Sequence, residues 1–458
     1  MPDNANVTEQ LSAYIAGEKA RHLPPEIIKR GKIHILDTLG AIVSGSLLKP
    51  GKLIVEFVRA QGGAPDATVA ATDIRTSVIH AALANGVMAH ADETDDTHFP
   101  TVTHPGSIVV PTALALGEKE RSSGHELITA VVLGYDVLCR VNRTLDRQWM
   151  QERCIHAGSI SAGFGAAAAA ARLLKLQPAQ VRYALAFAGT QACGLTTWRD
   201  DPEHIDKALC HSGIPARNGI TGALWARVGM TATAQIFEGP ENNIVRAFAD
   251  HGHPEELTRD LGARYEITET GIKIYPAGQP MQATLTGYFK LAKENNLTGR
   301  DVKQITVRLP ESQSRTINDR HMPDINCQYL LAVAMLDGKV DFHNAHDFER
   351  MHDPDVLELK KRVRIVADAE LTKKHPAVRS AIVEIATADG REFKVLVDRL
   401  PGAPYNPISA EEVEEKFLSL SIPVLGEKRS SAIVQNMRRL ETLTDVTSLA
   451  ESLRIGPP

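Results

Sequence analysis

The six residues Gly271-Ile-Lys-Ile-Tyr-Pro276 decide the fold of this 458-residue chain, because the sequence pattern changes there from helix to strand. The stretch itself is short and β-like. Upstream of it, from residue 8 to about 265, apolar residues recur at helical spacing, as at Leu36, Leu39 and Val43. Within that part, the run Ala166–Ala171 predicts a buried helix that packs closely against others.

Downstream of this stretch, several segments carry strand patterning. Val302–Leu309 alternates as a strand does, and so does Ala377–Ala386, which Asp389-Gly390 is predicted to join to Phe393–Val397 as a hairpin. Cys327–Leu336 reads as an apolar helix. Together these segments predict an α+β domain of about 130 residues, which is an ordinary domain size.

Helical patterning then returns toward the end of the chain. Ser409-Ala-Glu-Glu412 resembles a capping box, and residues 410–455 read as helix. We therefore predict a mainly α fold, in which both chain ends form one large all-helical domain and a smaller α+β domain is inserted into it. The predicted bounds are 1–267 for the first part of the helical domain, 268–403 for the insert and 404–458 for the return.

Composition narrows the class of protein. Hydrophobic residues make up 43% of the chain and charged residues 23%, with a formal net charge of −5, as in soluble globular proteins. The basic residues form no stripe that would suggest nucleic acid, and no apolar stretch approaches the ~20 residues of a membrane span. Five scattered cysteines and a polar N-terminal sequence lead us to expect a reduced, cytoplasmic protein.

The densest group of ionisable residues lies between two apolar segments. The nine residues from His90 to His98 contain two histidines and four carboxylates, and His104 follows soon after. Such density is costly unless the groups are solvated, paired or used in chemistry. Pro105 suits a first helical turn, so His104 is expected at a helix N-terminus, where a neutral imidazole can act as a base. A divalent-metal site is the weaker interpretation, because the histidines lack i, i+4 spacing.

Three further residues are candidates for chemistry. His156 precedes the alanine-rich helix, Lys207 lies within Asp206–Gly213, and Lys273 lies at the predicted domain boundary, where pockets are favoured. Ordinary structural interpretations stay open for each of them: a hydrogen-bonded core histidine, a surface lysine and a solvated strand lysine. Neither a glycine-rich phosphate motif nor a GxSxG motif is present to suggest nucleotide binding or acyl transfer.

The order of these motifs resembles the MmgE/PrpD family, which includes 2-methylcitrate dehydratase, cis-aconitate decarboxylase and iminodisuccinate epimerase. The resemblance runs through nearly the whole chain. It rests on Asp37-Thr-Leu-Gly40, Asn85-Gly86, His90 to Pro105, Gly134-Tyr-Asp136, the His156 segment, Lys207 to Gly219, Lys273-Ile-Tyr-Pro276, Arg320-His-Met-Pro323, Leu336-Asp-Gly338, Asp389-Gly390, Pro404-Tyr-Asn-Pro-Ile-Ser409 and Lys416-Phe417.

This resemblance implies a helical domain with an inserted α+β lid, a homodimer, no metal or organic cofactor, and an active site between the domains. Two histidines would handle protons on opposite faces of the substrate, and two lysines would bind its carboxylates. The implied catalytic residues are His104, His156, Lys207, Lys273, Asp96 and Thr97, and the implied substrate-binding residues are Glu93, Tyr275, Gln279 and His90.

The reactions of this family share a carbanion next to a carboxylate, which cations and hydrogen-bond donors stabilise. We therefore expect a cofactor-free lyase acting on a small di- or tricarboxylate, with dehydration of the 2-methylcitrate type as the first expectation. Epimerisation of an amino- or imino-dicarboxylate, decarboxylation of a cis-aconitate-like acid and non-catalytic acid binding are the alternatives. Glu93 stands where decarboxylase-like members have aspartate, and Ala277–Gln282 lacks the histidine or arginine of many members, so the substrate stays open.

Overall fold

The computed structural model describes residues 6–17, 22–239 and 241–456. The outer ends of the predicted domains, residues 1–5 and 457–458, lie outside the described residues. The chain forms two compact units, of which the first comprises Met1–Ala91, Asp95–Thr270 and Ser409–Pro458 and the second Asp92–Thr94 and Gly271–Ile408. The predicted class, mainly α with a smaller α+β part inserted into a helical one, is confirmed.

The first unit is built of helices with a few two-residue strands. Its helices before the insert are α1 (Val7–Ala16), α2 (Pro25–Gly45), α3 (Lys49–Gln61), α4 (Val78–Ala89), α5 (Gly106–Lys119), α6 (Gly124–Thr144), α7 (Arg147–Glu152), α8 (Ala157–Leu173), α9 (Pro178–Thr190), α10 (Ile205–Ala208), α11 (Ile214–Arg227) and α12 (Ile244–Phe248). The short strands are β1 (Ala67–Thr68), β2 (Arg75–Thr76), β3 (Thr97–His98) and β4 (Thr270–Gly271).

Helix α8 lies at the centre of this unit, packed against α5, α6, α9 and α11. Its alanine run Ala166–Ala171 is buried throughout, as predicted. The approach is close enough to require glycine: a Cβ on Gly165 would lie 2.6 Å from the Gly134 carbonyl oxygen, and one on Gly219 would lie 2.3 Å from the Ala166 Cβ. Small side chains therefore set the distances between the helices that carry the candidate site.

N-cap residues determine where several of the helices begin. Ser123 forms a capping box with Glu126 at the start of α6, which satisfies backbone N–H groups that the helix leaves open. Helix α5 begins at Gly106 with Pro105 as its N-cap, so His104 lies immediately before the helix, close to its predicted position.

The second unit is an α+β arrangement around one four-stranded sheet. Its helices are α13 (Gln279–Glu294), α14 (Glu311–Ile317), α15 (Cys327–Asp337), α16 (Phe342–Ala345), α17 (Pro354–Lys360) and α18 (Ala369–Lys374), and its strands are β5 (Val302–Leu309), β6 (Val363–Ala367), β7 (Ala381–Thr387) and β8 (Glu392–Val397). The strand order is β6-β5-β7-β8, with β5 parallel to β6 and antiparallel to β7. Alternate residues of β7 are buried, as expected for a sheet with one covered face.

The strand predictions hold in part. Strand β5 has the predicted bounds, and the hairpin turns at Asp389-Gly390 as predicted. Strand β7 begins at Ala381 rather than Ala377. The prediction for Gly271–Pro276 is wrong beyond its first residue, because residues 272–278 form an irregular loop.

The chain then returns to the first unit as α19 (Ala410–Leu425), α20 (Glu427–Arg438) and α21 (Thr447–Ser452). The predicted capping box between Ser409 and Glu412 is confirmed. Helix α19 packs on α2, and Lys416 donates to the buried Asp37 carboxylate over 2.6 Å. This ion pair links α19, in the return segment, to α2, the helix that carries His34.

Candidate active site

A cluster of imidazole rings lies in the first unit, and each of its members sits at a helix end or a turn. The ring centroids of His90 and His104 are 4.9 Å apart, and those of His90 and His211 are 5.3 Å apart. The rings of His156 and His211 stack at 4.1 Å with their planes 3° from parallel. We call His90, His104, His156, His204 and His211 the histidine cluster. It brings together three of the predicted site histidines.

Trp198 and Lys207 border the histidine cluster. The Trp198 ring meets His211 edge-on at 4.7 Å and His156 at 5.7 Å. The Lys207 ammonium lies 5.5 Å from the centre of the Trp198 ring. Burial lowers the pKa values of His90 and His211 well below their usual range, and the positive charge of Lys207 adds to both shifts. The cluster thus holds neutral imidazoles beside an ammonium group.

His104 has a defined hydrogen-bond partner. Its Nδ1 lies 2.7 Å from the Asp96 carbonyl oxygen. Because a carbonyl oxygen only accepts, Nδ1 carries the hydrogen, and Nε2 of the neutral ring carries the lone pair. The Thr97 hydroxyl lies 3.5 Å from the same Nδ1, at the limit of a hydrogen bond. The arrangement suits His104 for proton transfer at Nε2.

The Asp96 carboxylate faces the interior of the first unit. Its Oδ2 accepts from His34 Nδ1 over 2.8 Å and from the Tyr135 hydroxyl over 2.6 Å, and its Oδ1 accepts from the Gly106 backbone N–H over 3.0 Å. The residue is fully buried. Asp96 therefore contributes to the site through its backbone carbonyl, while its carboxylate ties together α2, α5 and α6.

His156 presents the opposite tautomer. It is the N-cap of α8, and its Nδ1 accepts from the Ser159 backbone N–H over 3.1 Å. Since that nitrogen accepts, the ring hydrogen lies on Nε2. Burial lowers the pKa of His156 to about 3, and the neighbouring His104 contributes to the shift. His156 is therefore a neutral hydrogen-bond donor at Nε2.

His90, Asp95 and His104 have potential metal-ligand atoms within 4.8 Å of one another. However, His90 Nδ1 lies 2.8 Å from Asp95 Oδ2, which is a hydrogen-bond distance, and His104 Nδ1 donates to the Asp96 carbonyl. Both Nδ1 atoms thus take part in internal hydrogen bonds. These bonds fix the orientation and the tautomer of both rings.

The other predicted site residues lie in the second unit. The Lys273 ammonium donates to the Glu93 carbonyl oxygen over 2.7 Å and lies 3.6 Å from the Glu93 carboxylate, with both side chains buried. The Tyr275 ring stacks near Phe289 at 5.8 Å. Gln279 is the first residue of α13, and its buried Oε1 has no hydrogen-bond partner among the described residues.

Gln282 holds the loop that carries Lys273 and Tyr275. Its Oε1 accepts from the backbone N–H groups of Ile274 and Tyr275, both over 3.0 Å, and its Nε2 donates to the carbonyls of Tyr275 and Ala277 over 3.0 and 2.8 Å. One buried amide therefore satisfies four backbone groups of residues 274–277. These bonds explain why this stretch is a fixed loop and not a strand.

Replacing Gln282 with glutamate is expected to destabilise the second unit by about 2–3 kcal/mol, because both carbonyls lose their donor and a charge is buried. Urea denaturation followed by circular dichroism measures the change. Gln304→Glu makes the same chemical change at an exposed position of β5 and is the matched control. Equal denaturation midpoints for the two variants would contradict the role of Gln282.

Sequence reasoning did not select Asp95, Trp198 or His211 as site residues. His211 follows Lys207 by four residues, a helical spacing that places two side chains on one face, so a signal was available. Its placement also depends on a π-helical turn at Leu209–Gly213, a feature that is frequent at functional sites and that the residue pattern does not reveal.

Comparison with known proteins finds two family models, which together match most of the chain. The family model of the MmgE/PrpD N-terminal domain matches residues 9–256, and that of the MmgE/PrpD C-terminal domain matches residues 275–441. Cis-aconitate decarboxylase of Homo sapiens is 27% identical over 472 aligned positions, and the alignment covers 99% of this chain and 95% of that protein. The enzyme of the same name from Mus musculus is 26% identical, covering 99% and 94% of the two chains, and that of Aspergillus terreus is 24% identical, covering 98% and 96%.

Among the described residues, no helix has both the length and the apolar character needed to cross a membrane.

Proposed function

Because the chain belongs to the MmgE/PrpD family, we propose that it is a lyase that acts on a small di- or tricarboxylate through a carbanion next to a carboxylate. Within that class we propose decarboxylation of a cis-aconitate-like acid. Three relatives that match almost the whole chain carry the name cis-aconitate decarboxylase, which supports this choice.

The observation that carries the proposal is the pair of opposite tautomers in the histidine cluster. His104 holds its hydrogen on Nδ1 and offers Nε2 for proton transfer, whereas His156 holds its hydrogen on Nε2 and offers a hydrogen bond. Lys207 adds an ammonium group at the border of the cluster. One proton carrier, one neutral donor and one cation are the groups that a carbanion next to a carboxylate requires.

In the proposed reaction, the bond between a substrate carbon and its carboxylate breaks, carbon dioxide leaves, and the electron pair stays on the carbon. The charge spreads onto the oxygens of a neighbouring carboxylate, where the His156 Nε2–H and the Lys207 ammonium stabilise it. Protonated His104 then delivers its Nε2 hydrogen to the carbon, and the neutral imidazole is reprotonated from solvent.

Dehydration is the second candidate and is also the expectation drawn from the sequence. It requires a base for the carbon-bound hydrogen and an acid for the departing hydroxide. His104 suits the first task, but the pKa of about 3 makes His156 a poor proton source for the second. Protonation of the departing hydroxide would then depend on Lys207. The same low pKa argues against epimerisation, which requires two proton carriers on opposite faces.

Proton NMR in D₂O tests the proposal directly. The protein is incubated with EDTA and, in separate samples, with cis-aconitate, 2-methylcitrate, citrate and an aspartate-derived acid. We expect cis-aconitate to lose one carboxylate and its product to carry one deuterium on carbon, with full activity in EDTA.

Each other outcome has a defined meaning. Loss of water from 2-methylcitrate without decarboxylation would establish the second candidate in place of the first. Deuterium exchange of the aspartate-derived acid without a new product would point to an epimerase. Binding in a thermal-shift assay without turnover or exchange would contradict an enzymatic role. The homodimer and the cytoplasmic location stay predictions.

A further inference from the structure

We propose that Asp95 is a positioning residue whose carboxylate joins His90 and His104 into one proton-handling unit, a role that rests on the proposed function. The two oxygens of Asp95 face different rings. Oδ2 lies 2.8 Å from His90 Nδ1, and Oδ1 lies 3.6 Å from His104 Nδ1. The two ring centroids are 4.9 Å apart, so the carboxylate is shared between neighbouring imidazoles.

The contact with Asp95 defines the state of His90. A carboxylate accepts, so His90 Nδ1 carries the hydrogen and Nε2 of the neutral ring carries a lone pair. Both side chains are fully buried, and His90 Nε2 has no hydrogen-bond partner among the described residues. A buried, oriented imidazole with a lone pair on its far side is the arrangement of a base held by a carboxylate.

The charge of Asp95 matters when either ring takes a proton. A positive charge on His104 would form 3.6 Å from Asp95 Oδ1, where attraction is several times stronger than between solvated groups. The carboxylate therefore increases the basicity of both imidazoles. Among the described residues of the first unit, Lys207, His156, His204 and His211 also interact with these two rings.

Asp95→Asn keeps the shape of the side chain and removes its charge. We expect kcat to fall about tenfold or more while KM changes less than about twofold, because the substrate still binds but His104 is less often protonated and delivers its proton less readily. We also expect the high-pH limb of the kcat/KM profile to move about one unit toward lower pH, since protonated His104 is the acid and loss of the carboxylate lowers its pKa. The control is Asp136→Asn, at an equally buried carboxylate that accepts from the Glu266 backbone N–H. This variant should leave kcat and the pH profile of kcat/KM unchanged.

NMR titration of the imidazole rings tests Asp95 without relying on turnover. Signals of His90 and His104 are assigned with His90→Gln and His104→Asn variants. In Asp95→Asn both signals should titrate at lower pH than in the wild type, whereas Asp136→Asn should titrate as the wild type does. Unchanged titration in a folded Asp95→Asn protein would overturn the proposal. Asp95→Ser provides the same test if the asparagine variant does not fold.

A double-mutant cycle separates a shared unit from two independent contacts. Asp95→Asn should cost less activity in a His90→Gln background than in the wild type, because one of its partners is already gone. If the losses of activity caused by Asp95→Asn and His90→Gln are additive, Asp95 does not couple the two rings. If the wild-type protein turns over none of the acids, the proposed function fails, while the titration still decides the role of Asp95.

Discussion

Replacing His104 with alanine is expected to lower kcat by about 100-fold or more, the usual range for losing a general acid or base. The structure gives the reason: the Asp96 carbonyl holds His104 Nδ1 at 2.7 Å, so Nε2 is fixed as the atom that exchanges the substrate proton. Alanine removes that atom and leaves the rest of the histidine cluster in place. Initial rates at saturating acid measure the effect.

Two further variants separate proton transfer from folding. His104→Asn retains an N–H that can reach the Asp96 carbonyl but has no ring nitrogen, so its kcat should be as low as that of the alanine variant. His251→Ala removes an exposed surface histidine and should leave kcat unchanged. Added imidazole should restore part of the activity of His104→Ala. Turnover close to wild type in both His104 variants would rule out the proposed role.

Sequence reasoning found the histidine cluster where its members share a short segment or precede a helix. His90 and His104 belong to one dense run, and His156 caps the alanine-rich helix. The protonation roles depend on partners that the pattern does not show, such as the Ser159 N–H that fixes the tautomer of His156. The inward orientation of the Asp96 carboxylate depends on His34, which lies 62 positions away in sequence.

The sequence predicts a strand correctly where buried and more exposed positions alternate along it. Val302–Leu309 shows this pattern from Ile305 onward and has the predicted bounds. Strand β6 lacks it, since Val363 is buried but none of the four residues that follow is, and its parallel pairing with β5 is a long-range contact. The loop after Gly271 has strand-like residues, but the four hydrogen bonds of the Gln282 amide satisfy its backbone instead of a neighbouring strand.

Replacing Lys273 with methionine is expected to lower the free energy of unfolding of the second unit by about 3–5 kcal/mol, the range for removing one partner of a buried ion pair. The ammonium donates to the Glu93 carbonyl and faces its carboxylate at 3.6 Å, with the two side chains 2% and 5% exposed. Methionine has a similar length and no charge, so the Glu93 carboxylate stays buried without this cation. Hydrogen exchange of second-unit amides, measured alongside urea denaturation, assigns the loss to that unit.

A matched control lies in the same unit. Lys361 pairs with Glu358 at the surface, with side chains 73% and 60% exposed, so Lys361→Met should cost less than about 1 kcal/mol. Adding Glu93→Gln to Lys273→Met should recover part of the lost stability, because the buried negative charge is removed together with its cation. Equal stability of Lys273→Met and Lys361→Met would show that the buried pair does not stabilise the second unit. If the double variant is less stable than Lys273→Met, the lost stability does not come from burying the Glu93 charge without the Lys273 cation.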